Sequence, residues 1–431
     1  MRNPLGLLSS LLLAMTLSSV LNAQPVRVEL RQTPAGFELL RGGAPFYVRG
    51  AGGTHHLKSL AAAGANSVRT WGTDLDSKVL DEAQQLGLTV CAGIWIEHER
   101  HGFDYDDAEA VATQIEQCKR IVDQFKDHPA LLLWSVGNEV ETRSTNPKVW
   151  DTIEAVAAYI KKIDPNHPVM VVTTHPLPKT LAAIRQHCPS IDLLGCNTYA
   201  GLPALQSDLR RYNWTGAYLV TEWGTNGNWE SPKTPWGAEL EPTSTEKALT
   251  YAERYAIIQA DQAHCLGSYA FYWGQKQEAT PTWFNLYTED GAETEGVEML
   301  QSLWTGQPAA VLAPRITPLQ LNEQHADRGV TVKPDTEMKV AFAITRGNAS
   351  DLRISWELLP ESPHKGEGGD FELRPQSLPL PAPSADAEPT KFAFAAPQAP
   401  GAYRLFLMVH GPGNKVATAN FPFLVGSVAD K

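Results

Sequence analysis

Leu131-Leu-Leu-Trp-Ser-Val-Gly-Asn-Glu-Val-Glu141 decides the fold. The stretch opens as an unbroken apolar run and changes character at Asn138-Glu139. A short, continuous apolar run predicts a strand buried on both faces, as in a parallel sheet covered by helices. A carboxylate just past such a strand stands where an α/β barrel builds its active site. Ala217-Tyr-Leu-Val-Thr-Glu-Trp-Gly224 has the same design, running apolar into Glu222 and Trp223. Two carboxylates at the C-terminal ends of two buried strands suit glycoside hydrolysis, which needs a proton donor and a nucleophile.

Outward from these two stretches, short apolar runs alternate with helix-like segments from Phe46 onward. Eight runs are present, opening at Phe46, Ser67, Leu88, Leu131, Val169, Ile191, Ala217 and Gly267. Helical patterns fall between them, at His56 to Ala63, Asp76 to Leu86, Ala108 to Phe125 and Glu246 to His264. Alternation of this kind predicts βα units and a parallel sheet. Eight repeats over about 260 residues fit a (β/α)8 TIM barrel. Residues 24–45 alternate polar and apolar and predict a small N-terminal β-hairpin that plugs the bottom of the barrel. After Trp304 the pattern shifts. Residues 307–319 are Pro-containing and linker-like, and 320–431 carry alternating, β-branched runs separated by Gly, Pro and Asn turns. That region predicts an antiparallel β-sandwich. The fold class is thus α/β: a TIM barrel over 46–306, with the hairpin before it and the sandwich after it.

Composition narrows the partners. The chain has 431 residues and a formal net charge of −12. A surface of that sign repels phosphate backbones, so no nucleic-acid partner is expected, and a neutral substrate fits better. Residues 1–23 carry one charge, Arg2, before an apolar run from Leu5 to Leu21, and predict a signal peptide. No other segment is apolar enough to span a bilayer, so the expected location is secreted or periplasmic with no membrane span in the mature chain. Five cysteines are present without CxxC spacing, so neither a zinc ribbon nor a redox motif is indicated. Export would permit a disulfide, and no pairing is specified. No cofactor and no metal are expected, and protein partners are open. The His- and Glu-rich Glu97-His-Glu-Arg-His101 reads as a solvated loop that, if functional, lines a subsite.

Asn138-Glu139 after the fourth run and Glu222 after the seventh resemble the signature of clan A glycoside hydrolases. Arg69, Tyr199 and Trp273, after the second, sixth and eighth runs, fall where that clan keeps active-site residues. Gly43-Ala-Pro-Phe-Tyr-Val-Arg-Gly50 is similar to the entry of the family 2 barrel. Val68-Arg-Thr-Trp-Gly72 and Gly137-Asn-Glu139 are similar to segments of β-1,3-glucanosyltransferases. The resemblance spans about residues 40 to 305. It departs from family 2 in having only a hairpin, not a large sandwich, before the barrel, so no family 2 substrate is carried over.

The resemblance implies a retaining mechanism with Glu222 as nucleophile and Glu139 as acid/base. Tyr199 and Arg69 would hold the Glu222 carboxylate, and Asn138 would bind the sugar hydroxyl beside the anomeric carbon. Trp273 would floor the cleaved sugar, and His56 and Trp223 are further candidates for substrate contact. Among Trp71, Trp95, Trp223, Trp229 and Trp236, at least two are expected to face the cleft. Three functions use such residues: a hydrolase of β-linked glycans or oligosaccharides, a β-glucan transglycosylase, and a non-catalytic carbohydrate-binding protein. Retention of both carboxylates argues against the last, because a binder needs no proton donor opposite a nucleophile.

Overall fold

The computed structural model describes residues 24–72, 74–363, 365–382 and 388–426. The predicted signal peptide lies outside them. Strands β1 (Val28–Thr33), β2 (Gly36–Arg41) and β3 (Ala44–Pro45) form an antiparallel meander. The barrel follows as β4 (Val48–Gly52), α1 (Leu57–Ala62), β5 (Ser67–Arg69), α2 (Ser77–Gln85), β6 (Thr89–Ile94) and α3 (Ala108–Phe125). It continues as β7 (Leu131–Asn138), α4 (Lys148–Ile163), β8 (Val169–Thr173), α5 (Pro178–His187), β9 (Leu193–Asn197) and α6 (Leu202–Arg211). It ends with β10 (Tyr218–Trp223), α7 (Ser244–Gln259) and β11 (Cys265–Ala270). The eight strands β4 to β11 pair in parallel and close into a barrel, β11 returning to β4.

Local chemistry explains the elements. All eight residues of β7 are buried, as the apolar run demands for a strand between barrel interior and helix layer. Helix α3 starts at Asp107, whose carboxylate accepts from the Glu109 and Ala110 N–H groups, and α7 starts with a Thr243/Glu246 capping box. The N-terminal meander is bonded to the barrel through Val28 N–H to Asn166 O and Phe37 N–H to Ala263 O. Both acceptors precede a barrel strand, so the meander covers the end opposite the strands' C-termini. Val28 and Leu39 share a buried cluster there with Leu132, Met170, Leu219 and Leu266.

Beyond the barrel come β12 (Glu293–Thr294), α8 (Glu295–Thr305), β13 (Arg315–Ile316), β14 (Gln320–Leu321), β15 (Thr331–Val332) and β16 (Glu337–Ala341). Strands β17 (Ile344–Arg346), β18 (Arg353–Pro360), β19 (Lys391–Ala395), β20 (Gly401–Gly411) and β21 (Lys415–Val425) complete the chain. The β18, β20 and β21 sheet and the β14, β16 and β19 sheet enclose one apolar core that includes Met338, Phe392, Leu407 and Phe421. The pairing is antiparallel except that β12 and β15 lie parallel to β21. Because β12 comes from the end of the barrel segment, the C-terminal sheet is continued by barrel-side chain. All five cysteines are free and buried. Among the described residues no helix is long and apolar enough to cross a membrane, and no cluster of His, Cys, Asp or Glu is placed to hold a metal ion.

Candidate active site

At the C-terminal ends of the barrel strands lies a cavity of about 790 Å³, within the usual range of ligand sites. Every barrel strand delivers a lining residue from its end or the loop after it, among them His55, Trp71, Trp95, Glu139, His175, Tyr199, Glu222 and Tyr272. Two neighbouring residues at the end of a strand point to opposite faces. Glu222 therefore enters the cavity, while Trp223 turns outward, fully buried against Tyr251 and Tyr255 of α7.

Glu222 is surrounded by donors. Its Oε1 accepts from Arg69 Nη1 at 2.9 Å and from Trp71 Nε1 at 2.8 Å, and its Oε2 accepts from the Tyr199 hydroxyl at 2.9 Å. Burial, then the neighbouring Glu222 charge, push the Tyr199 hydroxyl well above its ordinary range, so it remains a donor. Arg69 is 1% exposed and reaches further, donating from Nη2 to Asn138 Oδ1 at 2.6 Å. Trp71 can lie against the strand end because Gly52 has no side chain. A Cβ there would come within 2.6 Å of the indole.

Glu139 has the opposite surroundings. It sits one residue past β7 with φ +52, a left-handed conformation that costs a side-chain-bearing residue energy and turns its carboxyl into the cavity. Its Oε1 accepts from Asn197 Nδ2 at 2.7 Å, and the same amide donates to Asn138 Oδ1 at 3.1 Å. Burial first, then the charge of Glu222, raise Glu139 far above the usual carboxylate range. Asn197 and Arg69 thus tie the two carboxylates into one buried network through Asn138. The pair stands in contrasting environments: one carboxylate meets a guanidinium and two further donors, the other a single amide.

The structure gathers Glu139, Glu222, Asn138, Arg69 and Tyr199, and leaves three expected contacts outside. Trp273 is fully buried, packed on Tyr287 and Trp304, with its Nε1 donating to His56 O. The aromatic wall is made by Phe271 and Tyr272 before it, joined by a cis peptide bond. Trp223 faces α7, as above. His56 stacks on Tyr287 at 4.1 Å, and its neighbour His55 lines the cavity. Of the five tryptophans considered, Trp71, Trp95 and Trp229 reach the cavity. Asn197 and the Glu97–His101 segment had not been singled out as central. A polar Asn closing an otherwise apolar run was the available signal for Asn197. The segment is solvated at Glu97 and His101, but His98 is buried between Trp95 and His101, and burial and Arg100 lower it to about 4.

Comparison with known proteins agrees with the barrel fold. Residues 54–232 match the family model for the TIM barrel domain of glycosyl hydrolases family 2. The chain carries a TIM barrel similar to that family's catalytic domain. Sequence relatives include a β-glucuronidase from Chlorocebus aethiops, 24% identical over 139 residues, covering 32% of this chain and 20% of the relative. A mannan endo-1,4-β-mannosidase F from Aspergillus clavatus is 38% identical over 52 residues, 12% of each chain. Among solved structures, a β-glucuronidase from Bifidobacterium dentium superposes with TM-score 0.51 at 18% identity, covering 66% of this chain and 50% of that one. At that identity the likeness is one of fold. The chain spans about a fifth of the first sequence relative and half of this structural one.

Proposed function

We propose that the chain is a retaining glycoside hydrolase acting on β-linked glycans or oligosaccharides of neutral sugars. The observation that carries this reading is the contrast between the two carboxylates. In the first step a Glu222 oxygen attacks the anomeric carbon as the bond to the leaving oxygen breaks, and protonated Glu139 supplies the proton to that oxygen. In the second, Glu139 takes a proton from water, whose oxygen displaces Glu222 from the sugar. Arg69, Trp71 and Tyr199 hold the attacking carboxylate in place, and the raised Glu139 is the group still carrying a proton near neutrality. Both bonds to Asn138 use its Oδ1, so its Nδ2–H groups are available to a sugar hydroxyl.

Charge selects the substrate class. Besides the central pair, Asp74, Glu230, Glu278, Glu367 and Asp370 line the cavity. Glu367 pairs with Arg143 at 2.8 Å, Asp370 with Arg100 at 2.9 Å, and Glu278 with Lys276, the one lysine in the lining, at 2.6 Å, which leaves the carboxylates in excess. Such a wall repels a uronate, although β-glucuronidases are among the relatives. Export to the periplasm or beyond is part of the proposal and rests on the apolar opening segment.

The test is a panel of 4-nitrophenyl β-glycosides and β-linked oligosaccharides. Glu139→Gln and Glu222→Gln should each lose about 10³-fold or more in kcat/KM on oligosaccharides. Neutral glycosides should exceed the β-glucuronide by about tenfold or more. Near-native turnover by either variant would refute the catalytic roles, and preference for the glucuronide would refute the substrate class. Products longer than the substrate would shift the assignment to transglycosylation by the same residues.

A further inference from the structure

The connection between β18 and β19 leaves the C-terminal sheet and reaches the mouth of the barrel. Its Lys365-Gly-Glu-Gly-Gly-Asp-Phe-Glu372 segment contributes Gly366 through Asp370 to the cavity wall. It is fastened to several barrel loops. Arg100, after β6, donates from Nη1 to Glu367 O at 2.7 Å and to Asp370 Oδ2 at 2.9 Å, and His101 lies 3.0 Å from the other Asp370 oxygen. Glu372 is buried and accepts from Gly366 N–H and, after β11, from Ala279 N–H, both at 2.8 Å. Lys365 pairs with Glu239, beyond β10. A surface loop with no role at the site has no need of a buried carboxylate and a buried guanidinium to fix it over a cavity.

Gly368 is the point of closest approach. Its φ is +59, and a Cβ built on it would lie 3.4 Å from Glu139 Oε2 and 3.2 Å from Arg100 Nη2. The backbone of this loop therefore passes directly against the carboxyl assigned as the proton donor. A proton donor to the leaving oxygen stands on the leaving-group side of the bond being cleaved. Resting on the assignment of Glu139 as acid/base, we propose that residues 365–372 form the wall of the leaving-group side, and that Gly368 sets which leaving groups and acceptors fit. The C-terminal sheet region is then part of the catalytic site's specificity.

The experiment compares two substrates carrying the same glycosyl group: a β-glycosyl fluoride, whose leaving group is one atom, and a β-linked tetrasaccharide. The glucosyl, mannosyl and galactosyl series are used. Gly368→Asn tolerates the positive φ and fills the space beside Glu139. It should lower the tetrasaccharide-to-fluoride ratio of kcat/KM by about 30-fold. Asp370→Ala, which removes the carboxylate contacts to Arg100 and His101 and leaves the Arg100 bond to Glu367 O, should lower the same ratio by about fivefold and reports independently if the first variant does not fold. Ratios within about threefold of wild type in the folded variants would overturn the proposal. Glu222→Gln on the fluoride separates the two readings: retained fluoride hydrolysis removes the nucleophile assignment, whereas its loss with unchanged ratios at 368 and 370 removes only the loop. Turnover of none of the three series by wild type overturns both.

Discussion

At the scale of single residues, the environment of Glu139 makes a prediction of opposite sign for activity and stability. Its folded-state pKa is raised by burial and by Glu222, so in the range between the unfolded value, roughly 4.3, and the folded one the native state binds the extra proton. Stability therefore falls as pH rises through that range. Glu139→Gln should be inactive on oligosaccharides yet melt above wild type at pH 9, with the difference vanishing below about pH 4. The wild-type kcat/KM profile should lose activity on its basic side as Glu139 deprotonates, and this limb should be absent from residual fluoride hydrolysis by Glu139→Gln. A variant that melts below wild type at pH 9 would contradict a Glu139 carboxyl held above its ordinary range by burial and Glu222. At this scale the sequence was most informative where chemistry and position coincide. Glu139 and Glu222 stand out because carboxylates rarely end apolar runs. Trp223 was misplaced because aromatic character was read without the alternation of side chains, which sends neighbours on a strand to opposite faces. Trp273 and His56 lie past their strands, where no periodicity fixes direction, and both rings meet Tyr287 instead of the cavity.

At the scale of elements, the eight strand runs were legible because both faces of a barrel strand are apolar. Their ends moved by a few residues, enough to place Glu222 within β10 instead of after it. The polar connections between barrel and C-terminal sheets were not legible, since their partners are far apart in sequence. Lys247 on α7 is buried, 2.5 Å from Glu241 and 2.7 Å from Thr282 O. Glu241 in turn accepts from Thr280, Thr282 and Asn420 of β21. Lys247→Met should destabilise by about 3–5 kcal/mol because Glu241 is left buried without its nearest cation. Lys247→Met with Glu241→Gln should recover more than half of that loss in urea unfolding. A single variant within about 0.5 kcal/mol of wild type would show that the pair carries no such weight.

At the scale of the whole molecule, barrel and C-terminal sheets are joined by backbone as well as side chains. β12 pairs with β21, Thr418 N–H donates to Ser244 Oγ at 2.9 Å, and Arg404 donates to Glu239 O at 2.8 Å. Arg315 and Arg346 both pair with Glu295 at the start of α8. Calorimetry should accordingly give one unfolding transition for the chain, and two resolved transitions would contradict this coupling. The central claim, however, is the division of labour between the two carboxylates, and a trapped intermediate tests it most directly. Wild type treated with 2-deoxy-2-fluoro-β-glycosyl fluorides of glucose and galactose and the mannose counterpart should gain the mass of one fluorosugar, mapped by peptide sequencing to Glu222. A stable adduct on any other residue, or none on an enzyme that turns over the matching 4-nitrophenyl glycoside, would contradict the account.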